Sequence, residues 1–406
     1  MKKTAAYVLP LLASAAGYAH AQTTTQVYGV MTAGLGYVDK VAAPAGGARA
    51  TGDRIGLDSG QYTQSRFGFR GIEDLGGGLK AAFTLEGGIT IDTGASGQGG
   101  LTFGRRTTVA LISKDLGSLE IGRRKDFIDE VANQYSSANR LLPYTGKVHG
   151  NNLDRSTGER GNNMLFYTTP NFNGFKANLA YGFGETAGSS KTGQSLGFGA
   201  MYDNGPFGVG FGYWESKRGV VTATTNSSSD VGATSNAGCN TVGVGNPGET
   251  CIKTWMLGSN YDIGNVTLRG AWSQAKQPLI SVSAGAAPNF ATLFSSTAGS
   301  GAFTAGGSNN TKANIFDVGV DYIWNAWKFK GSFIQSRYDF VKATNKGNLT
   351  VLALGADYTL SKRTLLYGMV ANMHASDMYS PGLTSNGTPG IDNKQNALAL
   401  GIMHTF

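Results

Sequence analysis

Large apolar and small or polar side chains alternate along most of this chain, and the alternation has a period of two. In its last segment Leu398, Leu400, Ile402, His404 and Phe406 share one face, while Ala397, Ala399, Gly401, Met403 and Thr405 share the other. Successive side chains of a β-strand point to opposite faces, so this pattern describes a sheet between two different environments. The same reading holds for Phe175, Ala177, Leu179, Tyr181 and Phe183 against Lys176, Asn178, Ala180 and Gly182. It holds again for Phe316, Val318, Val320 and Tyr322 against Asp317, Gly319 and Asp321.

Sixteen such segments run between residues 25 and 406, joined by short turns that alternate with long loops. Their turns are rich in Gly, Asn and Asp, as at Glu73–Gly78, Lys114–Gly117 and Asp203–Pro206. Antiparallel strands joined in sequence need no crossover helix. Aromatic residues gather at the strand ends, among them Tyr202, Phe207, Tyr213, Trp272, Tyr322, Trp327 and Tyr358. Such rings mark the interfaces of a membrane. The expected fold is therefore all-β: a 16-stranded antiparallel transmembrane β-barrel with short periplasmic turns and long external loops. A barrel of that size encloses water.

Composition agrees. Mean hydropathy is slightly negative, yet a barrel strand exposes only every second residue to lipid and needs no long apolar run. The 61 glycines come with only 10 prolines and are interleaved with 20 Phe and 17 Tyr, which favours strands over disorder. Residues 1–21 carry Lys2 and Lys3, an apolar stretch and Ala19-His20-Ala21, the layout of a secretory signal peptide. The single barrel domain is then 22–406. Its formal charge falls from +8 to +6 when Lys2 and Lys3 are removed. Cys239 and Cys251, close together in an exported chain, read as a disulfide that braces one loop.

Several segments closely resemble the trimeric general porins of Gram-negative bacteria, particularly the beta-proteobacterial kind. They are Val27-Tyr28-Gly29-Val30, Ser65–Glu86 (SRFGFRGIEDLGGGLKAAFTLE), Asp115–Arg124 (DLGSLEIGRR), Asn162–Phe175 (NNMLFYTTPNFNGF) and Ala356–Tyr367 (ADYTLSKRTLLY). The resemblance implies a homotrimer whose subunits each carry a pore, seated in outer-membrane lipid. It implies that the third external loop, here 124–159, folds inward to constrict the channel. The terminal Phe406 would be the assembly signal read by the barrel-assembly machinery.

The chemistry expected of such a channel lies in its charges. Arg66 and Arg70 alternate with Phe67 and Phe69, and a lipid-facing arginine at mid-depth costs about 2–4 kcal/mol, so the guanidiniums face the lumen. Lys80 and Glu86 oppose Phe83 and Leu85 in the same way. By resemblance, the wall cluster is Arg66, Arg105 and Arg160 with Glu86 nearby and Arg106 and Arg123 as neighbours. Asp126, Asp129 and Glu130 are the candidate acids of the constriction loop. Alternation does not decide which of Arg105 and Arg106 faces the pore, because a bulge would swap them.

No nucleophile elbow, metal-ligand cluster or phosphate loop accompanies these charges, so neither an enzyme, a cofactor nor a metal is expected. A basic balance without a basic stripe does not point to nucleic acid. The expected function is passive diffusion of small hydrophilic solutes and anions. A substrate-specific channel and an adhesin-type surface barrel are the alternatives.

Overall fold

The computed structural model describes residues 24–42, 51–141, 149, 160–185, 187–191, 193–217, 252–276, 310–340, 346–376 and 393–406. Cys239, Cys251 and residues 1–21 lie outside them.

Seventeen strand segments form one antiparallel sheet. They are β1 (Thr24–Ala42), β2 (Thr51–Ser59), β3 (Arg66–Gly76), β4 (Leu79–Gly88), β5 (Arg106–Ser113) and β6 (Gly117–Lys125). After the third loop come β7 (Arg160–Thr168), β8 (Phe175–Gly182), β9 (Ser195–Asn204), β10 (Phe207–Ser216), β11 (Ile252–Ile263) and β12 (Val266–Lys276). The last are β13 (Asn310–Trp324), β14 (Trp327–Phe340), β15 (Lys346–Thr359), β16 (Thr364–Ser376) and β17 (Lys394–Thr405). Consecutive strands pair in order, except that β2 and β3 both pair with β1 and not with each other, and β17 returns to β1, matching Val30 with Thr405 and Val38 with Ala397. Gly29 and Phe406 complete the seam by exchanging backbone hydrogen bonds of 3.1 and 3.2 Å. Gly29 has no side chain because the Phe406 ring occupies that space: a Cβ there would overlap its Cζ.

β2 and β3 both pair with β1, one with each half, so together they form a single broken stave. The closed barrel thus has sixteen staves. Sequence reading expects a loop where β2 lies, because only Ile55 and Leu57 supply its outward face. Its inward face carries Arg54 and Asp58, which pair across Gly56. The break at residues 60–65 directs Tyr62 and Gln64 into the lumen, where they meet Asp357 and Arg105. β5 starts at Arg106 and not at Thr102, because the preceding stretch turns through a 3-10 segment at Gln98–Gly100.

The two faces differ as the alternation requires. Leu398, Leu400 and Ile402 are exposed outward, whereas Ala397 and Ala399 are buried inside. β16 reads irregularly in sequence because its inward residues, Tyr367, Met369 and Met373, are as apolar as its outward Leu366 and Val370. Inside, they join a core that includes Leu141.

That core exists because the third loop folds inward. Past β6 it forms α1 (Phe127–Tyr135) and α2 (Ala138–Leu141). α1 lies on β9–β12 and α2 on β13–β15. Phe127, Ile128, Val131, Ala132 and Tyr135 bury one helical face against Met164, Phe166, Trp214 and Met256 of the wall. The glycines that alternate with outward aromatics make this docking possible. At Gly258 a Cβ would stand 2.7 Å from Tyr135 Cβ, and at Gly210 one would overlap the Tyr135 ring.

Candidate functional site

Across the lumen from this docking face, β3–β7 carry the arginines that alternation turns inward. Arg105 donates from Nε to Glu86 Oε1 at 2.7 Å and also bonds Gln64. Arg66 Nε stands 3.6 Å from the other Glu86 oxygen, which accepts from the Tyr28 hydroxyl at 3.1 Å. Arg160 is fully buried and donates from Nε to the Arg105 carbonyl at 3.0 Å. Two guanidiniums thus converge on one carboxylate, and a third is held behind Arg105.

Arg106 belongs to the same wall. It is the register partner of Glu86, yet the backbone N–H of Arg105 also donates to the Glu86 carbonyl at 3.1 Å. Two residues oppose one, as in a bulge, and both side chains turn inward. Arg106 grips Glu120 through two bonds of 2.9 and 2.6 Å. Glu120 also accepts from Arg124 at 2.8 Å, and Arg124 continues the chain to Glu130. The Arg124 guanidinium lies 3.4 Å from the centroid of the Phe166 ring, a cation–π contact that fixes its plane. One ladder of alternating charge therefore ties the wall to the third loop.

The loop acids take different roles. Asp129 bonds Lys125 at 2.6 Å and accepts from Asn133 at 2.7 Å. Glu130 accepts from Asn178 at 3.2 Å besides Arg124. Its carboxyl is raised above the ordinary glutamate range, chiefly by burial; Arg124 opposes the shift and Asp129 adds to it. Asp126 is buried and caps α1, accepting from the backbone N–H groups of Ile128 and Asp129 at 3.0 and 3.3 Å. Such a cap satisfies donors that the first helical turn leaves open.

Arg66, Arg105, Arg106, Arg160, Glu86, Asp129 and Glu130 line one cavity of about 370 Å³, together with Arg124, Lys125, Tyr28 and Gln64. Six cationic groups and three carboxylates share that lining, so its net charge is positive. Arg70, Lys80, Arg123 and Asp126 stand outside it. Arg70 bonds Gln26 nearer the short-turn end, and Lys80 is exposed beside the β3–β4 turn. Arg123 donates to the Gly104 carbonyl at 2.7 Å.

Sequence reasoning missed Glu120 and Gln64, and it placed Arg124 at the strand end near the inward loop without assigning it to the wall cluster. It also missed a second charged group beneath α2, where Arg269 and Lys328 both approach Asp321 at 3.2 Å and Lys330 approaches Asp357 at 2.9 Å. Alternation had a signal for Glu120, which sits between outward Leu119 and Ile121. Nothing in the sequence marks the register that brings Arg124 to it.

The Gram-negative porin family model matches residues 5–378. Outer membrane porin protein 32 of Delftia acidovorans is 30% identical over 420 residues, covering 100% of each chain. An outer membrane porin protein of Bordetella pertussis is 29% identical over 427 residues, again covering 100% of each. Among solved structures, the anion-selective porin from Comamonas acidovorans matches with a TM-score of 0.67 at 25% identity, covering 95% of this chain and 100% of that one. With a closed sixteen-stave barrel, an apolar outer face and a charged lumen, this chain belongs to the Gram-negative porins and resides in the outer membrane.

Proposed function

We propose that the barrel is a general diffusion pore that prefers small hydrophilic anions, and that the cavity between β3–β7 and the third loop is its constriction. The observation that carries this reading is the six-to-three excess of cationic groups in the lining. Inward rings of Arg are the expected construction of an anion pore. Solutes move down their own gradient; the wall supplies only a field that enriches anions and depletes cations in a confined space. The similarity to the anion-selective porin from Comamonas acidovorans supports the same sign.

The wall arginines Arg66, Arg105, Arg106 and Arg160 would supply that field, with Glu86 holding them in place. Asp129 and Glu130 would set the facing edge, while Arg70 and Lys80 would extend the positive lining toward the periplasm. Arg123 and Asp126 would act as positioning residues for the loop.

A homotrimer fits the outer face. Apart from Tyr37 on β1, the outward indole and phenol rings lie on β7–β15, including Tyr167, Tyr261, Trp272, Tyr322 and Trp327. β16, β17, β5 and β6 instead present aliphatic Leu366, Val370, Leu398, Leu400, Val109, Leu111 and Ile121. Interfacial aromatics are used where a barrel meets headgroups, so the aliphatic sector suits a neighbouring subunit. Residues 1–21 would serve as the export leader and Phe406 as the handle for the assembly machinery.

The test is a planar bilayer under a salt gradient. Stepwise conductance in groups of three with an anion-favouring reversal potential supports the reading. A cation-favouring potential overturns the selectivity, and block by one solute would favour a substrate-specific channel.

A further inference from the structure

The stave that β2 and β3 share is interrupted at residues 60–65, and the interruption is anchored at both ends to one residue of β1. The Gly60 N–H donates to the Thr32 carbonyl at 2.9 Å, and the Ser65 hydroxyl donates to the same carbonyl at 3.1 Å. Gly60 takes a φ of +74°, which turns the chain off the wall. Residues 61–64 project into the lumen as a second inward segment, separate from the third loop. Tyr62 rests on Tyr367 of β16, with ring centroids 5.2 Å apart, and donates to Asp357 of β15 at 2.7 Å. In the sheet β15 is three strands from β1, about 14 Å at the usual strand spacing. The segment thus reaches well across the wall.

There it meets the third loop. Lys330 of β14 is buried, and its ammonium pairs with Asp357 at 2.9 Å and stands 4.4 Å from the centroid of the Tyr62 ring. The same ammonium donates to the Tyr62 hydroxyl and to the Arg140 carbonyl of α2, each at 3.4 Å. At its other end the segment holds wall arginines. Arg66 donates to the Gln64 carbonyl at 3.0 Å and to the Thr63 hydroxyl at 3.3 Å, and the Gln64 side chain accepts from Arg105. The third loop reaches the far flank of that wall through Glu130, Arg124, Glu120 and Arg106. These contacts form a closed circuit, with the third loop on one side and residues 61–64 on the other. Breaks in strand pairing re-aim side chains beside functional sites in this way.

We propose that Tyr62 is a positioning residue of the pore: it holds residues 61–64 against the third loop and, through Gln64, sets where Arg66 and Arg105 point. The proposal rests on the reading of the arginine-lined cavity as the constriction. Tyr62 is uncharged and is not among the residues that line this cavity, whereas Thr63 and Gln64 are. Its effect on passing ions therefore runs through the arginines it aims. Without the clamp the segment swings away from α2, the aperture widens and the guanidiniums leave the ion path.

Planar-bilayer recordings of the full-length mature protein test this with Y62L and Q64A, neither of which changes the charge. Y62L should lower the anion-to-cation permeability ratio about twofold, as the loss of one guanidinium from the ion path does. It should also admit poly(ethylene glycol) of a size that the wild type excludes. Q64A should lower the ratio in the same way but keep the wild-type exclusion size, because Tyr62 still meets Lys330. A lesion that merely loosens the barrel would not separate the two readouts. A wild-type ratio in either variant overturns the proposal. R66Q/R106Q, recorded alongside, then shows how much falls: if its reversal potential shifts, only the role of Tyr62 is lost, and if it does not, the constriction reading is lost as well. If Y62L does not fold, Y62F keeps the ring, loses only the hydroxyl bond to Asp357, and should move the ratio in the same direction. Wild-type ratios in Y62F and Q64A overturn the proposal equally.

Discussion

Asp317 on β13 and His149 in the third loop meet through a 2.7 Å hydrogen bond, and both side chains are fully buried. The same carboxylate accepts from the Ser136 hydroxyl at 2.8 Å and from the Ser137 N–H and hydroxyl at 2.8 and 2.6 Å. His149 Nδ1 is in turn 2.6 Å from Ser273 Oγ. One carboxylate thus pins two separated points of the loop to the wall. Removing it strands several buried donors, which costs far more than the net worth of any single bond.

Asp317→Ala should therefore destabilise the protein by about 3–5 kcal/mol, the range for breaking a buried charged network. Thermal unfolding followed by circular dichroism measures the loss. Single-channel traces of the variant should show new fluctuations as the loop leaves the wall. A variant with wild-type unfolding temperature and quiet traces would show that the loop is held by its apolar face alone.

Selectivity should follow the two most accessible wall arginines. Arg66 and Arg106 retain 26% and 41% of their side-chain exposure, whereas Arg105 retains 7%, so the first pair can be neutralised with least damage to packing. A charge about 8 Å from the solute path in a water-like medium contributes roughly 0.5 kcal/mol, which salt screening at a Debye length of about 8 Å cuts to about 0.2 kcal/mol. Acting with opposite sign on anion and cation, it changes their permeability ratio about twofold. Arg66→Gln with Arg106→Gln should then lower the anion-to-cation ratio about fourfold. The reversal potential under a potassium chloride gradient reads it directly. An unchanged potential would move the selective region elsewhere in the pore.

The staves were legible because lipid on one side and water on the other impose a period of two on every segment. Legibility failed where another contact replaced one of those environments. β16 looked irregular because its inward face packs on the core beneath α2 and is apolar as well. β2 was hidden because Arg54 and Asp58 face in and only Ile55 and Leu57 face out. Asp126 read as a channel acid, yet it precedes Phe127, Ile128, Val131, Ala132 and Tyr135, whose spacing is helical. An Asp before such a run is a capping signal, with Asp129 three residues on. Arg105 and Arg106 were inseparable by alternation for a physical reason: the bulge opposite Glu86 turns both inward.

The glycine face of β9–β11 is a docking surface for α1, and Gly258 tests it best. A Cβ there would meet Tyr135 Cβ at 2.7 Å, an atom fixed to the helix backbone and unable to swing aside. Tyr135 is also held at its far end, donating to the Val209 carbonyl at 3.1 Å. Gly258→Ala should force α1 away from the wall at a cost of about 1–3 kcal/mol, as overpacking does elsewhere. Because α1 carries Asp129 and Glu130, conductance should fall as the helix moves toward the lumen. Unchanged stability and conductance would mean that the helix docks with slack not visible in its contacts.

Glu130 supplies a pH dependence whose sign can be worked out. Burial raises its carboxyl above the ordinary value of about 4.3. The folded state therefore favours the protonated form. The stabilisation from this group is complete below the unfolded value and is lost as pH rises through the folded one. On acidification Glu130 takes up its proton before an ordinary glutamate does, and Arg124 loses one of its two carboxylate partners while Glu120 remains. The lining then gains one positive charge. Anion preference should rise as pH falls through the raised carboxyl, by about twofold for a single nearby charge. Glu130→Gln should show the acid-state preference at neutral pH and no step on acidification, since its side chain is neutral throughout and still accepts a hydrogen bond. Reversal potentials measured from pH 7.5 to 4.5 separate the two proteins. A wild-type channel with a flat profile, or a variant that keeps the step, would remove Glu130 from the selective region and leave the field to the wall arginines.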